Sequence, residues 1–157
     1  MKYLALSLLT ATAAVASADD AQKAKLMETG KAAFMTCMAC HGADGTGMNI
    51  PPDKKMAPSL AGSKIVTGEP AALALAILKG IQKDPANAQI LGIMAPLELQ
   101  LDDNKLAGVM TYVRNSFTNT ASVVTPEDAK KFREQFKDIK AQVTRAQLDE
   151  AGKKKDK

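Results

Sequence analysis

The stretch FMTCMACHGADGTG, from Phe34 to Gly47, places both cysteines and the single histidine of a 157-residue chain within five consecutive positions. Cys37 and Cys40 are separated by Met38 and Ala39, and His41 follows directly. A disulfide at this spacing would close a very small loop and restrain the unfolded chain little. Thiol–disulfide exchange proteins also use C-x-x-C, but set it after a strand in a βαβ unit. Zinc would need about four ligands, which this cluster does not supply without carboxylates. C-x-x-C-H is the attachment pattern for a c-type haem. Two thiols so spaced reach the two vinyl groups of one porphyrin, and the next residue offers its imidazole to the iron. The expected cofactor is therefore one haem c, covalent through Cys37 and Cys40, with His41 as a metal ligand.

Outward from the motif the pattern is helical. Ala21 to Met35 is rich in Ala, Lys, Gln and Met, all good helix formers. Gly42 to Pro58 is punctuated by Gly and Pro throughout and reads as a loop. A second helix is predicted from near Gly68-Glu69-Pro70, where proline suits a first turn, to the stop at Gly80. An irregular stretch follows from Gln82 to Leu101. The third helix opens at Asp102-Asp103, acids that suit a helix N-terminus. Leu106, Val109, Met110 and Val113 then recur at amphipathic spacing. Asn119 to Val124 reads as a polar linker. Thr125-Pro126-Glu127-Asp128 combines an N-cap, a proline at the first helical position and an acid three residues on. Phe132, Phe136, Ile139 and Val143 mark the apolar stripe of this fourth, C-terminal helix, which ends in the basic KKKDK tail. No strand and no internal repeat is predicted. The fold class is all-α.

The N-terminus carries the features of an export signal. Lys2 is followed by the apolar or small run Tyr3 to Val15, and Ala16-Ser17-Ala18 fits a cleavage site after Ala18. That run is shorter than the roughly 20 residues that span a bilayer. The expected organisation is a signal peptide over 1–18, a haem domain over 19–118, and a linker, amphipathic helix and basic tail over 119–157. The expected location is the periplasm, with no stable membrane insertion after cleavage. Charge is divided unevenly: ten Lys and Arg balance ten Asp and Glu between Asp19 and Thr118, whereas 119–157 carries ten against seven. A nucleic-acid partner would require a basic face with stacking aromatics. The chain shows neither, so that class is set aside.

Beyond the five-residue motif, the sequence resembles the class I cytochrome c family over roughly Lys23 to Thr118. CHGADGTG is similar to that family's C-H-G-x-x-G-x-G run. Gly30 and Phe34 fit its N-terminal helix, where a small residue lets two helices cross beside an aromatic, and Tyr112 fits the partner helix. APSLAGS resembles the family's proline-containing loop. The resemblance implies that the Pro58 carbonyl accepts the Nδ1 hydrogen of His41, a bond that fixes the tautomer and leaves Nε2 for iron. It implies also that Leu60 packs on the haem.

The sixth ligand is the open position. Without a second histidine, a methionine thioether is the natural donor. Met38 lies within the attachment motif, while Met27, Met35 and Met110 sit in helical patterns as core residues. Met48 and Met56 occupy the loop within reach of the iron. Met94, in LGIMAPLELQLDD, is favoured by its place between two helices and by Pro96, which stiffens the crossing. The resemblance points to the same residue, with Met-Ala-Pro standing where Met-Pro is commoner.

The function expected is single-electron transfer between redox partners, a donor and an acceptor docking at the haem edge around Ala39, Ile93 and Ala95, with no bond chemistry by the protein. Two alternatives stand beside it: a haem enzyme or gas sensor with an open sixth position, and a dedicated subunit of a larger dehydrogenase or oxidase. In the latter, the C-terminal helix would be free to bind a partner instead of packing on the core.

Overall fold

In the computed structural model, which describes residues 8–153, helices α1 (Leu8–Phe34) and α5 (Asp103–Arg114) cross in close contact. The reason is a pair of glycines. A Cβ on Gly30 would lie 2.0 Å from the Gly108 carbonyl oxygen and 2.6 Å from the Tyr112 Cβ, so any side chain would force the helices apart. Gly30 is legible in the sequence; its partner Gly108 is not singled out there. Beside the crossing, Phe34, Tyr112 and Phe117 form an aromatic cluster with ring centroids 5.3 to 5.8 Å apart.

Between these helices the chain forms α2 (Met38–His41), the short strands β1 (Asn49–Ile50) and β2 (Lys54–Lys55), α3 (Lys64–Thr67) and α4 (Pro70–Lys79). The third predicted helix begins as expected, with the Asp102 side chain accepting from the Lys105 amide at 2.8 Å. Helix α4 runs from Pro70 to the stop at Gly80, and its residues Ala72 to Lys79 are buried on all sides. It packs against α3, α5, α6 and α7, which explains its lack of a polar face.

The sequence predicts no strand, yet Asn49 pairs with Lys55 and Ile50 with Lys54. The loop's backbone groups need partners, and they find them within the loop and across it. Met56 N donates to Met48 O at 2.8 Å, and Leu91 N and Gly92 N donate to Lys55 O and Met56 O, each at 2.9 Å.

The C-terminal region departs most from expectation. In place of one helix there are two, α6 (Pro126–Phe136) and α7 (Arg145–Ala151). Ile139 and Val143 lie between them. The periodic stripe is interrupted because the Val143 backbone pairs in extended form with the strip after α4: Val143 N donates to Gly80 O at 3.1 Å, and Gln82 N to Val143 O at 2.9 Å. Tertiary pairing overrides local periodicity here. Helix α7 then opens with its own capping box, Thr144 with Gln147.

The polar linker is likewise built into the core. The Asn119 side chain donates to Leu60 O at 3.0 Å and Val113 O at 2.8 Å, and accepts from Gly62 N at 2.8 Å. Buried Arg114 donates to Val66 O, Gly68 O, Ser122 O and Ser122 Oγ, all within 2.9 Å. Ala129, Phe136, Val143 and Leu148 are buried, so the extension packs back on the domain. Of the predicted export signal, residues 1–7 lie outside those described, and so do residues 154–157 of the basic tail. No described helix is long and apolar enough to cross a membrane.

Candidate haem pocket

Helix α2 is a single turn, and a turn is what the attachment motif requires. Cys40 N and His41 N both donate to Cys37 O, at 3.2 and 2.9 Å. Residues three and four apart on a helical turn share a face, so Cys37, Cys40 and His41 point the same way. The turn is tied to α1 by Cys37 N to Phe34 O at 2.8 Å, and to the following loop by Gly47 N to His41 O and Met48 N to Cys40 O. His41 Nδ1 lies 3.3 Å from the Pro58 carbonyl oxygen. A carbonyl only accepts, so this contact places the hydrogen on Nδ1 and leaves the Nε2 lone pair free. Burial lowers the His41 pKa, opposed by the Pro58 contact, and the ring is thereby favoured in its neutral, metal-binding form.

The facing wall is assembled from distant segments. Ile81 N donates to Met94 O at 2.9 Å and Met94 N to Ile81 O at 3.1 Å. Gln142 Nε2 donates to the same Met94 carbonyl at 2.8 Å. Gly80 is required beside it: its φ is +71°, and a Cβ there would lie 2.3 Å from Met94 O and 2.8 Å from Pro96 N. Downstream, Lys79 pairs with Glu98 at 2.6 Å, and Arg133 binds Asp103 at 2.6 Å and Glu98 O at 3.0 Å. The segment after Met94 is thus fastened to α4 and α6, and α6 in turn to α5.

Two adjoining cavities lie between these walls. The larger, about 260 Å³, is lined by Cys37, Cys40, His41, Met56, Pro58 and Met94 with mostly apolar neighbours. The smaller, about 80 Å³, shares Cys37, His41, Pro58 and Met94, and adds Leu60 and side chains of α4 and α5 such as Leu73, Ile77 and Val109. The six residues singled out in the sequence, Cys37, Cys40, His41, Pro58, Leu60 and Met94, therefore meet in one place. Met94 lines both cavities, Met56 only the larger and Met48 neither; Met48 is 45% exposed. Ala39, Ile93 and Ala95 are all exposed; Ile93 and Ala95 line the larger cavity, whereas Ala39 lies on α2 between the two cysteines. Two residues that line both cavities, Ile81 and Arg145, escape a motif reading, because nothing local connects them to the cysteines. The Thr144–Gln147 capping signal would have marked the turn that carries Arg145.

The donor set fits a covalently tethered haem: two thiols on one face, an imidazole with a free Nε2, and a thioether in the same apolar space. It does not suit thiol exchange. Burial, with the neighbouring Cys40, pushes the Cys37 thiol up to about 11, opposite to the depressed value that an attacking thiolate needs. Among the described residues, no three His, Cys, Asp or Glu side chains are grouped as a metal-holding cluster.

Comparison with known proteins agrees with this chemistry. The cytochrome c subunit of a quinone alcohol dehydrogenase from Gluconobacter oxydans (strain 621H) is 30% identical over 125 residues, which cover 73% of this chain and 25% of that protein. The chain thus spans about a quarter of that relative's length. The sequence model of the cytochrome c family matches residues 27–117, including the cysteine motif, the Pro58 loop, Met94, the end of α1 that carries Gly30 and the whole of α5. With that match over more than half its length, and with Cys37 and Cys40 at the spacing that covalent haem c requires, the chain belongs to the cytochrome c family.

Proposed function

We propose that this chain is an exported, periplasmic carrier of single electrons, its one haem iron held by His41 and Met94. The observation that carries the reading is that His41 and Met94 line both cavities with Cys37 and share the larger one with Cys40. The haem supplies a reversible one-electron change at iron; the chain supplies everything that sets its environment. Cys37 and Cys40 tether the ring. Pro58 orients His41 through its carbonyl. Met94 offers a soft sulfur that favours the reduced metal and raises the potential. Leu60, Leu73, Ile77 and Val109 exclude water. No residue breaks or forms a substrate bond, and the chain is not an enzyme in this reading. The exposed residues Ala39, Ile93 and Ala95, small or apolar, suit brief docking of a donor and an acceptor.

The test is an optical spectrum of the oxidised holoprotein. The weak long-wavelength sulfur-to-iron charge-transfer band is expected in the wild type and absent in Met94→Ala, while Met56→Ala and Met48→Ala retain it. A wild type without the band, binding carbon monoxide readily when reduced, would instead establish an open sixth position. Export is tested by the N-terminal sequence of the mature protein, expected to begin at Asp19.

A second reading is favoured by one finding: the relative from Gluconobacter oxydans is named as a subunit of a dehydrogenase. In that reading the electron donor is a dehydrogenase that keeps this chain as a stable partner. Stoichiometric co-purification of a dehydrogenase with the native protein separates it from a free carrier.

A further inference from the structure

Arg145 lies outside the segment that matches the cytochrome c family, yet it lines both cavities together with His41 and Met94. No other Lys or Arg lines either cavity. The chain has three arginines, and the other two are committed: Arg114 to the carbonyls of Val66 and Gly68, Arg133 to Asp103. Among the described residues Arg145 forms no ion pair. Arg145 is half-buried as a residue, and at the wall of a mostly apolar cavity its permanent charge is best matched by an anionic group of a bound ligand.

Its placement is not incidental. The Val143 backbone is paired in both directions with the Gly80–Gln82 strip, and the Gln142 side chain holds the Met94 carbonyl. Those bonds fix the register of the segment, and Arg145 follows two residues later at the cavity wall. A haem carries two carboxylates, and a planar, permanently charged fork is the side chain best matched to a carboxylate in a dry site. We infer that Arg145, delivered by the C-terminal extension, is the counter-ion of a haem carboxylate. The extension is then a wall of the haem pocket and not an appendage of it. This inference rests on the haem and His41–Met94 reading above. The rival partner is Asp84, the carboxylate that lines the larger cavity.

The experiment uses the full-length holoprotein and its Arg145→Gln, Arg145→Lys and Asp84→Asn variants. Removing a positive charge beside the ring favours oxidised iron. At the ambient potential that half-reduces the wild type, Arg145→Gln is expected to raise the oxidised-to-reduced ratio roughly three- to tenfold, the effect of one charge acting through an effective dielectric of about 20. Arg145→Lys keeps most of the wild-type ratio. In redox-difference infrared spectra the haem carboxylate bands move in Arg145→Gln, and move equally in the Asp84→Asn background. An unchanged ratio in Arg145→Gln, an equal shift in Arg145→Lys, or a band shift that vanishes with Asp84→Asn would each overturn the inference. If Arg145→Gln yields no holoprotein, the infrared comparison of Arg145→Lys with wild type decides: moved carboxylate bands are expected, and unmoved bands refute it. All variants should keep the charge-transfer band, so its absence from the wild type would count against Met94 ligation and leave the role of Arg145 to the infrared result.

Discussion

The two walls of the pocket are built in opposite ways. On the His41 side, two tethers and the histidine fall within one helical turn, and the hydrogen bonds that hold the turn come from residues close by in sequence. On the Met94 side, the methionine is held by Ile81, by Gln142, and by a segment after it that Lys79 and Arg133 fasten. One wall is a local motif. The other is a product of the whole fold, and should fail whenever the fold is disturbed at a distance.

The most severe way to test this difference is to remove residues 125–157. That deletion strips Phe136 and Leu148, with the smaller Val143 and Ala129, from the interior. Large buried side chains cost about 2–5 kcal/mol each when lost, and a whole domain is stable by only about 5–15 kcal/mol. The truncated chain should retain covalently attached haem, because the tethers are local, but lose both its cooperative thermal transition and its charge-transfer band. Calorimetry together with the optical spectrum checks both; an intact transition would mean that the extension serves a partner instead.

A paired substitution separates the walls more gently. Gly80→Ala puts a Cβ at a φ of +71° and 2.3 Å from the Met94 carbonyl. A loss of about 1–3 kcal/mol in denaturant unfolding is expected, with a weakened charge-transfer band. Pro58→Ala, on the other wall, keeps the carbonyl that accepts from His41, so the spectrum should be nearly unchanged. Equal spectral effects of the two would erase the distinction drawn here.

The smallest effect concerns pH and the start of α6. Burial raises the Asp128 pKa, but hydrogen bonds from the Thr125 backbone and hydroxyl, with Lys131, outweigh it, and the carboxyl ends below its ordinary 3.8. A carboxyl held below its unfolded value contributes stability above that value, and the contribution is lost as pH falls through the folded pKa. Asp128→Asn should therefore be slightly less stable than wild type at neutral pH, by about 0.5 kcal/mol or less given its exposure. The two should converge in acid, as urea midpoints at neutral pH and near pH 2 would show.

The legible parts of the molecule are those whose cause is local. Pro70 and Gly80 bound α4, Asp102 caps α5, and Thr125 caps α6, because caps and breakers act within a few residues. The attachment cysteines and His41 are readable for the same reason. Gly108 is not, because a glycine inside a helix shows its purpose only once Gly30 lies against it. Nor is the break after Phe136, since the stripe continues to Val143 while the Val143 backbone is claimed by Gly80 and Gln82. Arg145 is one cation among the ten Lys and Arg of 119–157, and only folding distinguishes it.

The pairing of Val143 with the Gly80–Gln82 strip also sets an order in time. A chain leaves the ribosome N-terminus first. Cys37, Cys40 and His41 are therefore available long before Gln142 and Val143 arrive to brace the strip that holds Met94. Haem can be tethered to a chain whose opposite wall does not yet exist. If Met94 ligates the iron as proposed, that ligation becomes the last event of maturation, and its spectral signature should report that the Gln142–Val143 segment has docked.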